Sequence, residues 1–509
     1  MAVVATAPQP RKLRVGVFAD SPLQPRWVVD ALAKVAACGF AEIALIATGP
    51  ENAGRRRPAW WRRLYGALDR TAFGVSCDQE EGVELTRCVP HGRAVHGSLD
   101  PASLGGLDLD VAFALGEFDD ERLDGIAREG VWRFCFAQDD TLSGSGLAAR
   151  LASGATPRLA YQSWARTYRL SVARNREHLL AKTAEFAVRA LRELDRSGRR
   201  WLEQCPPANG FVNDVSDENL GPILRRIARR GVEKALHTEQ WSLAFRFGAA
   251  QSFGGDLAGY ARLVPPKAGD WWADPFPLEK NGRYFIFFEE LPHGAGKAHI
   301  AMIEVRPDGA WSEPVRVLER DYHLSYPFLL EHEGALYMIP ETSRNGTVEL
   351  YRCVDFPLRW KLERTLLDGV RLVDATLHRD AARWWMFANS STGRVFNDEL
   401  HLFYAERLLG EWRPHPRNPV KSDARCARPA GKLYWRNGAL HRPAQICVPR
   451  YGAGLSLNRV MQLTPQAYAE RQVERVLPDG GRGFLGLHTL NRAGALTVVD
   501  VLSRRSRFA

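Results

Sequence analysis

The sequence predicts a multidomain protein of two unlike parts, an N-terminal α/β domain on a parallel sheet and a C-terminal all-β five-bladed β-propeller. Three observations support this prediction. The chain has 509 residues, which is too long for one ordinary core. Apolar strand-like runs alternate with helical segments over the first third of the chain, and after Trp241 a strand–turn–strand unit recurs five times. We place the α/β domain at 1–205, a helical linker at 206–245 and the propeller at 246–509.

The amino-acid composition limits the classes of ligand and partner that the protein is expected to bind. Hydrophobic residues make up 45% and charged residues 25% of the chain, which is typical of a globular protein in water. The net charge of +10 favours phosphate-bearing ligands, nucleotide sugars or an anionic lipid surface over an acidic partner. No nucleic-acid-binding motif is present, so we expect no nucleic-acid partner. None of the eight cysteines lies in a CxxC or a zinc-type spacing with histidine, and we expect neither a metal nor a cofactor.

The N-terminal residues MAVVATAPQPRKLRVGVF lack the apolar core of a signal peptide. No run of 18 apolar residues follows anywhere in the chain. Together with the unpaired pattern of cysteines, this predicts a cytoplasmic protein.

Strands and helices alternate in the first domain. The predicted strands are Leu13–Ala19, Ala41–Ala47, Leu107–Leu115 and Val131–Ala137, and the predicted helices are Trp27–Ala37 and Asp119–Glu129. This order implies a doubly wound parallel sheet. Neither GxGxxG nor GxxxxGK[ST] occurs, so a dinucleotide site and a P-loop are not indicated.

The segment LDVAFALGEFDDERLDGIAREGVWRFCFA resembles the core of the formyltransferase fold. In that family the last of these strands carries an Asn and a His that polarise the formyl carbonyl. Here the stretch Trp132–Asp139 has no His, and no downstream Asp completes the triad. The resemblance therefore implies a degenerate formyltransferase-like scaffold. Asp139 and Asp140 are then either remnants of a site or a solvated pair.

Two basic segments have an amphipathic character. The helix predicted at Leu220–Leu236 carries Arg225, Arg226, Arg229 and Arg230 on one face, and residues 55–63 place two tryptophans among five arginines. One interpretation is a peripheral contact with the inner face of an anionic membrane. The other is a helix packed between domains with its arginines in water.

Five hairpin-like segments align after Trp241. Their shared positions, which we call the anchor residues, are Asp274, Tyr326, Asp374, Arg428 and His488, spaced by 52, 48, 54 and 60 residues. This period is that of a four-stranded propeller blade. The innermost strands of a propeller line its central channel, so polar anchors should form a ring around one funnel.

A second polar ring follows from the same geometry. Glu289, Glu341 and Asn389 each lie fifteen residues after an anchor. Carboxylates that converge in one funnel can supply the acid, the base or nucleophile and the tuning group of glycosidic chemistry. The alternative is that these acids only link neighbouring blades by hydrogen bonds.

The residues WWADPFPLEKNGRYFIFFEE, LSYPFLLEHEGALYMIPETS, VDATL, RPAG, RPAQ and LHTLN carry a family resemblance. The first resembles the opening blade of the five-bladed glycoside hydrolases of families 43 and 32. The whole set is more similar to the N-terminal propeller of plant glucosamine inositolphosphorylceramide transferases and its bacterial relatives. In the bacterial relatives such a propeller follows a formyltransferase-like domain.

This resemblance implies site residues. Asp274, Glu341 and Asp374 would be the catalytic carboxylates, and the substrate would be bound by Trp272, Glu289, Tyr326, Arg428 and His488. The sequence departs from the pattern at Ile446, where an Asp is expected, which removes one carboxylate from the funnel.

The leading hypothesis is a glycosyltransferase of surface polysaccharide or glycolipid biosynthesis. It would use a sugar or nucleotide-sugar substrate and a glycan or glycolipid acceptor. The alternatives are a glycoside hydrolase-like enzyme or a non-catalytic glycan-binding module. A sugar N-formyltransferase is a third and weaker hypothesis, because the His is missing.

Overall fold

A computed structural model describes residues 11–49, 60–75, 79–88, 93–96, 108–116, 123, 125–139, 146–153, 158–166, 168, 171–208, 220–248, 257, 259–265, 267, 269–390, 398–478 and 483–507. The chain divides into two compact units, Met1–Glu218 and Asn219–Ala509. Within these ranges, no helix combines the length and the apolar character that crossing a bilayer requires.

A seven-stranded mixed sheet forms the core of the first unit. Its parallel strands, in spatial order, are Arg93–His96, Ala41–Thr48, Leu13–Ala19, Val111–Leu115 and Val131–Asp139, and the antiparallel strands Gly146–Ser153 and Arg158–Ala165 extend one edge. The central strands are buried on both faces, which explains their continuous apolar sequence. The prediction of a parallel sheet therefore holds for five strands, and the sheet as a whole is mixed. A short pair, Leu23–Pro25 with Gly82–Glu84, lies outside it.

The helices of this unit are Arg26–Ala37, Trp60–Phe73, Val172–Thr183, Phe186–Ser197 and Arg199–Gln204, with a 3₁₀ turn at Leu85–Cys88. Ser171 caps the third of them by accepting a hydrogen bond from the Arg174 amide. The helix predicted at Asp119–Glu129 lies partly outside the described residues, and 125–130 form turns rather than a helix. Asp140 also lies outside the described residues.

The second unit begins with the helix Leu220–Leu236 and continues as a five-bladed β-propeller. The first two blades are four-stranded: Trp271–Lys280, Arg283–Leu291, His299–Val305 and Val315–Leu318, then Ser325–His332, Ala335–Glu341, Thr347–Asp355 and Arg359–Asp368. A 3₁₀ turn, Ser343–Asn345, lies within the second blade. The third blade contains Val373–Arg379, Trp384–Ser390, Glu399–Ala405, Arg413–Pro414 and Lys421–Ser422, and the fourth Tyr434–Arg436, Ala439–Ile446, Gly454–Leu463 and Tyr468–Val476.

The fifth blade joins the two ends of the propeller. Its inner strands, Phe484–Gly486 and Leu490–Ala493, pair with Leu496–Ser506, which pairs in turn with His237–Phe247 over eleven residue pairs. Ala261–Leu263 forms the outer edge. The predicted linker 206–245 therefore differs from the structure, because residues from 237 onward belong to the closing sheet.

The inner strands share a local distortion at the anchor residues. Asp274, Tyr326 and Asp374 have φ values of 51°, 44° and 56°, and the register of each strand shifts there. Proline follows the first two anchors, and it has no N–H to offer the ladder at the point where pairing is interrupted. The hairpins then turn at Asn281-Gly282, Glu333-Gly334 and Asn437-Gly438, with positive φ at both residues as a type I′ turn requires. The sequence period thus reflects a repeated bulge and turn.

Candidate functional site

The upper face of the propeller is defined here as the end at which the innermost strands begin. The bulges place the anchors there, and the ends of the second strands lie beside them because the two strands are antiparallel. Ala273 pairs with Glu289, Ser325 with Glu341, and Val373 with Asn389. The structure thus brings the predicted acids of three blades to one face.

The second polar ring extends to all five blades. In the fourth blade Gln445 holds the equivalent place, since its amide donates to the carbonyl of Arg428. In the fifth blade the equivalent place belongs to Asp500. It follows Val499, which pairs with Leu490 of the inner strand. Sequence reasoning missed both residues, although Gln445 lies in the RPAQ motif and Asp500 ends the fifth repeat. Gln445 is the neighbour of Ile446, so a polar group remains where a carboxylate was expected to be lost.

Asp374 and Arg428 form a buried ion pair across two blades. Nε of Arg428 lies 2.5 Å from Oδ2 of Asp374, and a second guanidinium nitrogen lies 3.1 Å from Oδ1. Gln445 donates to the same Oδ2 at 3.0 Å. Burial disfavours the charge of Arg428, but Asp374 outweighs it and raises the pKa of the guanidinium. Asp374 is fully buried, so its charge is committed to this pair.

Asp274, His488 and Asp500 form a second buried cluster. Nδ1 of His488 lies 2.6 Å from Oδ2 of Asp500, and Nε2 lies 3.5 Å from Oδ1 of Asp274. The Thr489 hydroxyl donates to Asp274 at 2.7 Å. The Trp241 ring stacks on the imidazole with centroids 4.1 Å apart.

Two pKa shifts follow from this cluster. Burial raises the pKa of Asp274 to about 8, against the lowering effect of His488. Burial disfavours the charge of His488, but Asp500 and Asp274 outweigh it and raise the pKa of the imidazole to about 9. Burial therefore favours the neutral form of Asp274, and the carboxylate of Asp500 favours the charged form of His488.

Several groups at this face keep part of their side-chain surface open. Glu289 and Glu341 are each 11% exposed and Arg428 is 12% exposed. Burial and the charge of Asp374 raise the pKa of Glu341, while Arg428 opposes the rise. His323, which sequence reasoning did not single out, lies 3.3 Å from Glu289 and is 29% exposed. These residues are the part of the cluster that a ligand can reach first.

Trp272 and Tyr326 are placed differently from the prediction that they bind substrate. Trp272 is 1% exposed, packs against Phe288 and donates its ring N–H to Glu290. Tyr326 is fully buried; its hydroxyl accepts the Gly431 amide at 2.7 Å and lies 2.8 Å from the Thr376 hydroxyl. The polar atoms of both residues are already hydrogen-bonded. Trp272 bonds and packs within the first blade, and the Tyr326 hydroxyl links the second blade to Thr376 and Gly431.

One group of side chains among the described residues has ligand atoms close enough for a cation, and it is again Asp274, His488 and Asp500. Asp500 already accepts hydrogen bonds from the amides of Asp274, His488 and Thr489. A cation would have to replace these bonds and the contact of Asp500 with His488. The donor set as it stands is a hydrogen-bonded cluster rather than a prepared metal site.

A groove of about 310 Å³ lies between the third and fourth blades, lined among others by His378, Trp435, Arg459 and Met461. It adjoins the inner turns of these blades, so it lies at the end of the propeller opposite to the upper face. None of the predicted site residues contributes to it.

Comparisons with known proteins concern the propeller. Residues 265–490 match the family described as glucosamine inositolphosphorylceramide transferase 1, N-terminal. Glucosamine inositolphosphorylceramide transferase 1 of Oryza sativa subsp. japonica is 35% identical over 216 residues, which cover 42% of this chain and 29% of that protein. The Arabidopsis thaliana protein of the same name is 32% identical over 216 residues, covering 42% and 28%. The chain therefore spans less than a third of the length of these plant relatives.

Among solved structures, the catalytic domain of the GH62 α-L-arabinofuranosidase of Coprinopsis cinerea is similar at 12% identity with a TM-score of 0.37. The match covers 53% of this chain and 98% of that one.

Proposed function

We propose that this protein transfers a glycosyl unit during the assembly of a glycolipid or surface polysaccharide, with the active site at the upper face of the propeller. The observation that carries the proposal is the convergence of carboxylates from four blades beside one arginine and two histidines. The sequence similarity of the same segment to plant sugar–sphingolipid transferases supports a sugar donor and a glycolipid acceptor. The basic composition suits a nucleotide- or phosphate-linked donor.

The geometry suggests a division of roles. Glu341 is the candidate proton donor or acceptor, because it is partly exposed and its raised pKa brings it closer to neutral pH. Asp274 contributes as an acid whose neutral form is favoured by burial, and Arg428 supplies positive charge that developing negative charge can approach. Asp374 acts indirectly by holding Arg428 in place.

The test is an assay of the whole chain with labelled nucleotide sugars and glycolipid acceptors, after a thermal-shift screen has selected a donor. We expect Glu341→Gln and Asp274→Asn to lower turnover by about 10²–10⁴-fold while the protein stays folded. Asn is suited to the positive φ at position 274. Glu304→Gln is the matched control, since Glu304 pairs with Arg283 away from the site. Full turnover in both site variants would remove these residues from the mechanism.

A second candidate is a glycan-binding module without turnover. It is favoured by the commitment of Asp374 to Arg428 and by the burial of Asp274. Binding of a glycan that survives both substitutions, with no product from any donor, would support this function. Release of free sugar from a glycoside would instead identify a hydrolase.

Peripheral association with the inner face of a membrane belongs to the same proposal. The helix Leu220–Leu236 carries arginine-rich sequence and leaves Val232 and Leu236 60% and 45% exposed. Flotation of the whole chain with vesicles of anionic lipid, compared with neutral vesicles, tests this. Equal recovery with both would count against the basic helix as a contact.

A further inference from the structure

Glu349 lies buried beneath two loops of the upper face. It is 3% exposed and belongs to the third strand of the second blade. Both carboxylate oxygens are fully used. Oε2 accepts hydrogen bonds from Tyr322 at 2.7 Å and from Tyr351, and Oε1 accepts from Asn345 and Thr347 at 2.8 Å each. Burial raises the pKa of Glu349, but the bonds from Tyr351, Tyr322, Thr347 and Asn345 outweigh it and lower the pKa. The carboxylate is therefore charged at neutral pH, and its hydrogen bonds are of the stronger, charge-assisted kind.

One arm of this network leads to Glu289. Tyr322 lies in the loop 319–324, which connects the first blade to the second, and the next residue is His323. The ring of His323 is held from two sides, because Nδ1 accepts the Ala298 amide at 3.1 Å and Nε2 lies 3.3 Å from Glu289. The contact between Tyr322 and Glu349 thus fixes the loop that places a histidine beside Glu289.

The other arm leads to Glu341. Asn345 belongs to the loop that follows Glu341, and Thr347 is the first residue of the next strand, so both lie in the segment 342–347. Ser343 in this segment donates to Oε1 of Glu341 at 2.6 Å. The Thr342 hydroxyl closes the loop by donating to the carbonyl of Thr347 at 2.6 Å. The carboxylate of Glu349 therefore also fixes the loop that orients Glu341.

We propose that Glu349 is a positioning residue that sets Glu289 and Glu341 together, by holding the loops 319–324 and 342–347 on its two oxygens. It touches neither carboxylate itself. The proposal rests on the proposed function only in treating these two acids as the groups that face the substrate. An arrangement in which one buried anion fixes two acids keeps their mutual geometry constant, which acid–base chemistry on a sugar requires.

The test uses the whole chain and three variants. Tyr322→Phe removes the hydrogen bond between Glu349 and the loop that carries His323. Asn345→Ala removes one of the bonds between Glu349 and the segment that follows Glu341. Glu349→Leu removes the bonds to both. Tyr468→Phe is the matched control, because Tyr468 also donates to a buried carboxylate, Glu470, at 2.6 Å in the fourth blade. Hydrogen exchange is followed in the peptides that contain the two loops.

We expect faster exchange in 319–324 alone for Tyr322→Phe, in 342–347 alone for Asn345→Ala, in both for Glu349→Leu, and in neither for Tyr468→Phe. Uniform loosening of the blade, or no change in either loop, would overturn the proposal. If Glu349→Leu does not fold, exchange in Tyr322→Phe and Asn345→Ala tests the proposal instead.

Titration of His323 by NMR, with its signal identified through His323→Gln, supplies a readout that lost stability would not move. Burial disfavours the charge of His323, but Glu289 outweighs it and raises the pKa. The charge of Glu341 also raises this pKa, and the charge of Arg344 lowers it. We therefore expect Tyr322→Phe and Glu349→Leu to lower the pKa of His323, and Tyr468→Phe to leave it unchanged. An unchanged pKa of His323 in folded Tyr322→Phe would contradict the claim that the contact between Tyr322 and Glu349 positions His323 beside Glu289. Both readouts need no ligand, so a failure of the proposed function would not be confused with a failure here.

Discussion

At the scale of single residues, the upper face is organised by charges that neutralise one another before any ligand arrives. Arg428 is bound by Asp374, and His488 lies between Asp274 and Asp500. Such pairs contribute little net stability relative to apolar residues, but they are costly to break. The burial of the partners therefore predicts how single substitutions will act.

Arg428→Met should destabilise the protein by about 3–5 kcal/mol, because it leaves Asp374 buried with only the amide of Gln445. Arg425→Met is the matched control. Arg425 also binds an aspartate, Asp423, with two nitrogens, but the pair is 33% and 17% exposed, so we expect a loss below about 1 kcal/mol. Urea denaturation of both variants measures the difference. Equal losses would show that burial of the Asp374 pair does not matter.

Stability should fall as the pH rises, because of His488. Its pKa in the folded protein is about 9, above the ordinary 6.5, so the folded state holds a proton that the unfolded state has lost. The stabilisation is complete below pH 6.5 and is lost as the pH rises through about 9, with a slope of at most about 1.4 kcal/mol per pH unit. Asp274, raised to about 8, acts in the same direction from about pH 4 to 8. His488→Gln should flatten the slope between pH 6.5 and 9, and an unchanged slope would contradict the assignment.

At the scale of elements, the repeated unit is a hairpin whose inner strand is interrupted by a bulge. The bulge lifts the anchor backbone out of the ladder and lets the second strand place its terminal side chain at the same face. The fifth unit differs, because its outer strands come from the beginning of the propeller segment. Closure of the ring thus depends on packing between strands far apart in sequence.

Leu496→Ala should lower the free energy of unfolding by about 2–5 kcal/mol, because Leu496 is fully buried. It lies in the last strand of the propeller, where it pairs with Phe247 of the closing strand His237–Phe247. Leu362→Ala is the control with the same chemical change on an outer strand, where the side chain is 43% exposed and the expected loss is below about 0.5 kcal/mol. Thermal or urea unfolding compares them. Similar values would mean that the closing strand contributes no more than an outer one.

At the scale of the whole molecule, the boundary between the two units lies between Glu218 and Asn219. The closing strand His237–Phe247 belongs to the second unit. A propeller whose first strand completes its last blade cannot lose that strand without exposing a sheet edge and an apolar face.

A chain that begins at Asn219 should therefore fold and unfold cooperatively by calorimetry. A chain that begins at residue 248 should expose apolar surface, bind a hydrophobic dye and lack a sharp transition. Cooperative folding of both chains would show that strand pairing between His237–Phe247 and Leu496–Ser506 is dispensable.

Elements with local or periodic causes can be predicted from the amino-acid pattern alone. Leu13–Ala19 and Leu220–Leu236 could be bounded from apolar runs and helical spacing, and the five-fold repeat predicted the propeller and the convergence of Asp274, Glu341, Asp374 and Arg428. A repeat of fixed length places equivalent residues at equivalent points of a closed ring, whatever the details of packing.

Which of these residues a ligand can reach depends on how the blades pack against one another. Trp272 and Tyr326 carry the same repeat signature as the acids, yet their rings fill the space between strands and blades. His323, Gln445 and Asp500 gain their roles from partners 34, 71 and 12 residues away. Burial and pairing over such distances depend on how the blades pack and close, and no local pattern in the chain records that.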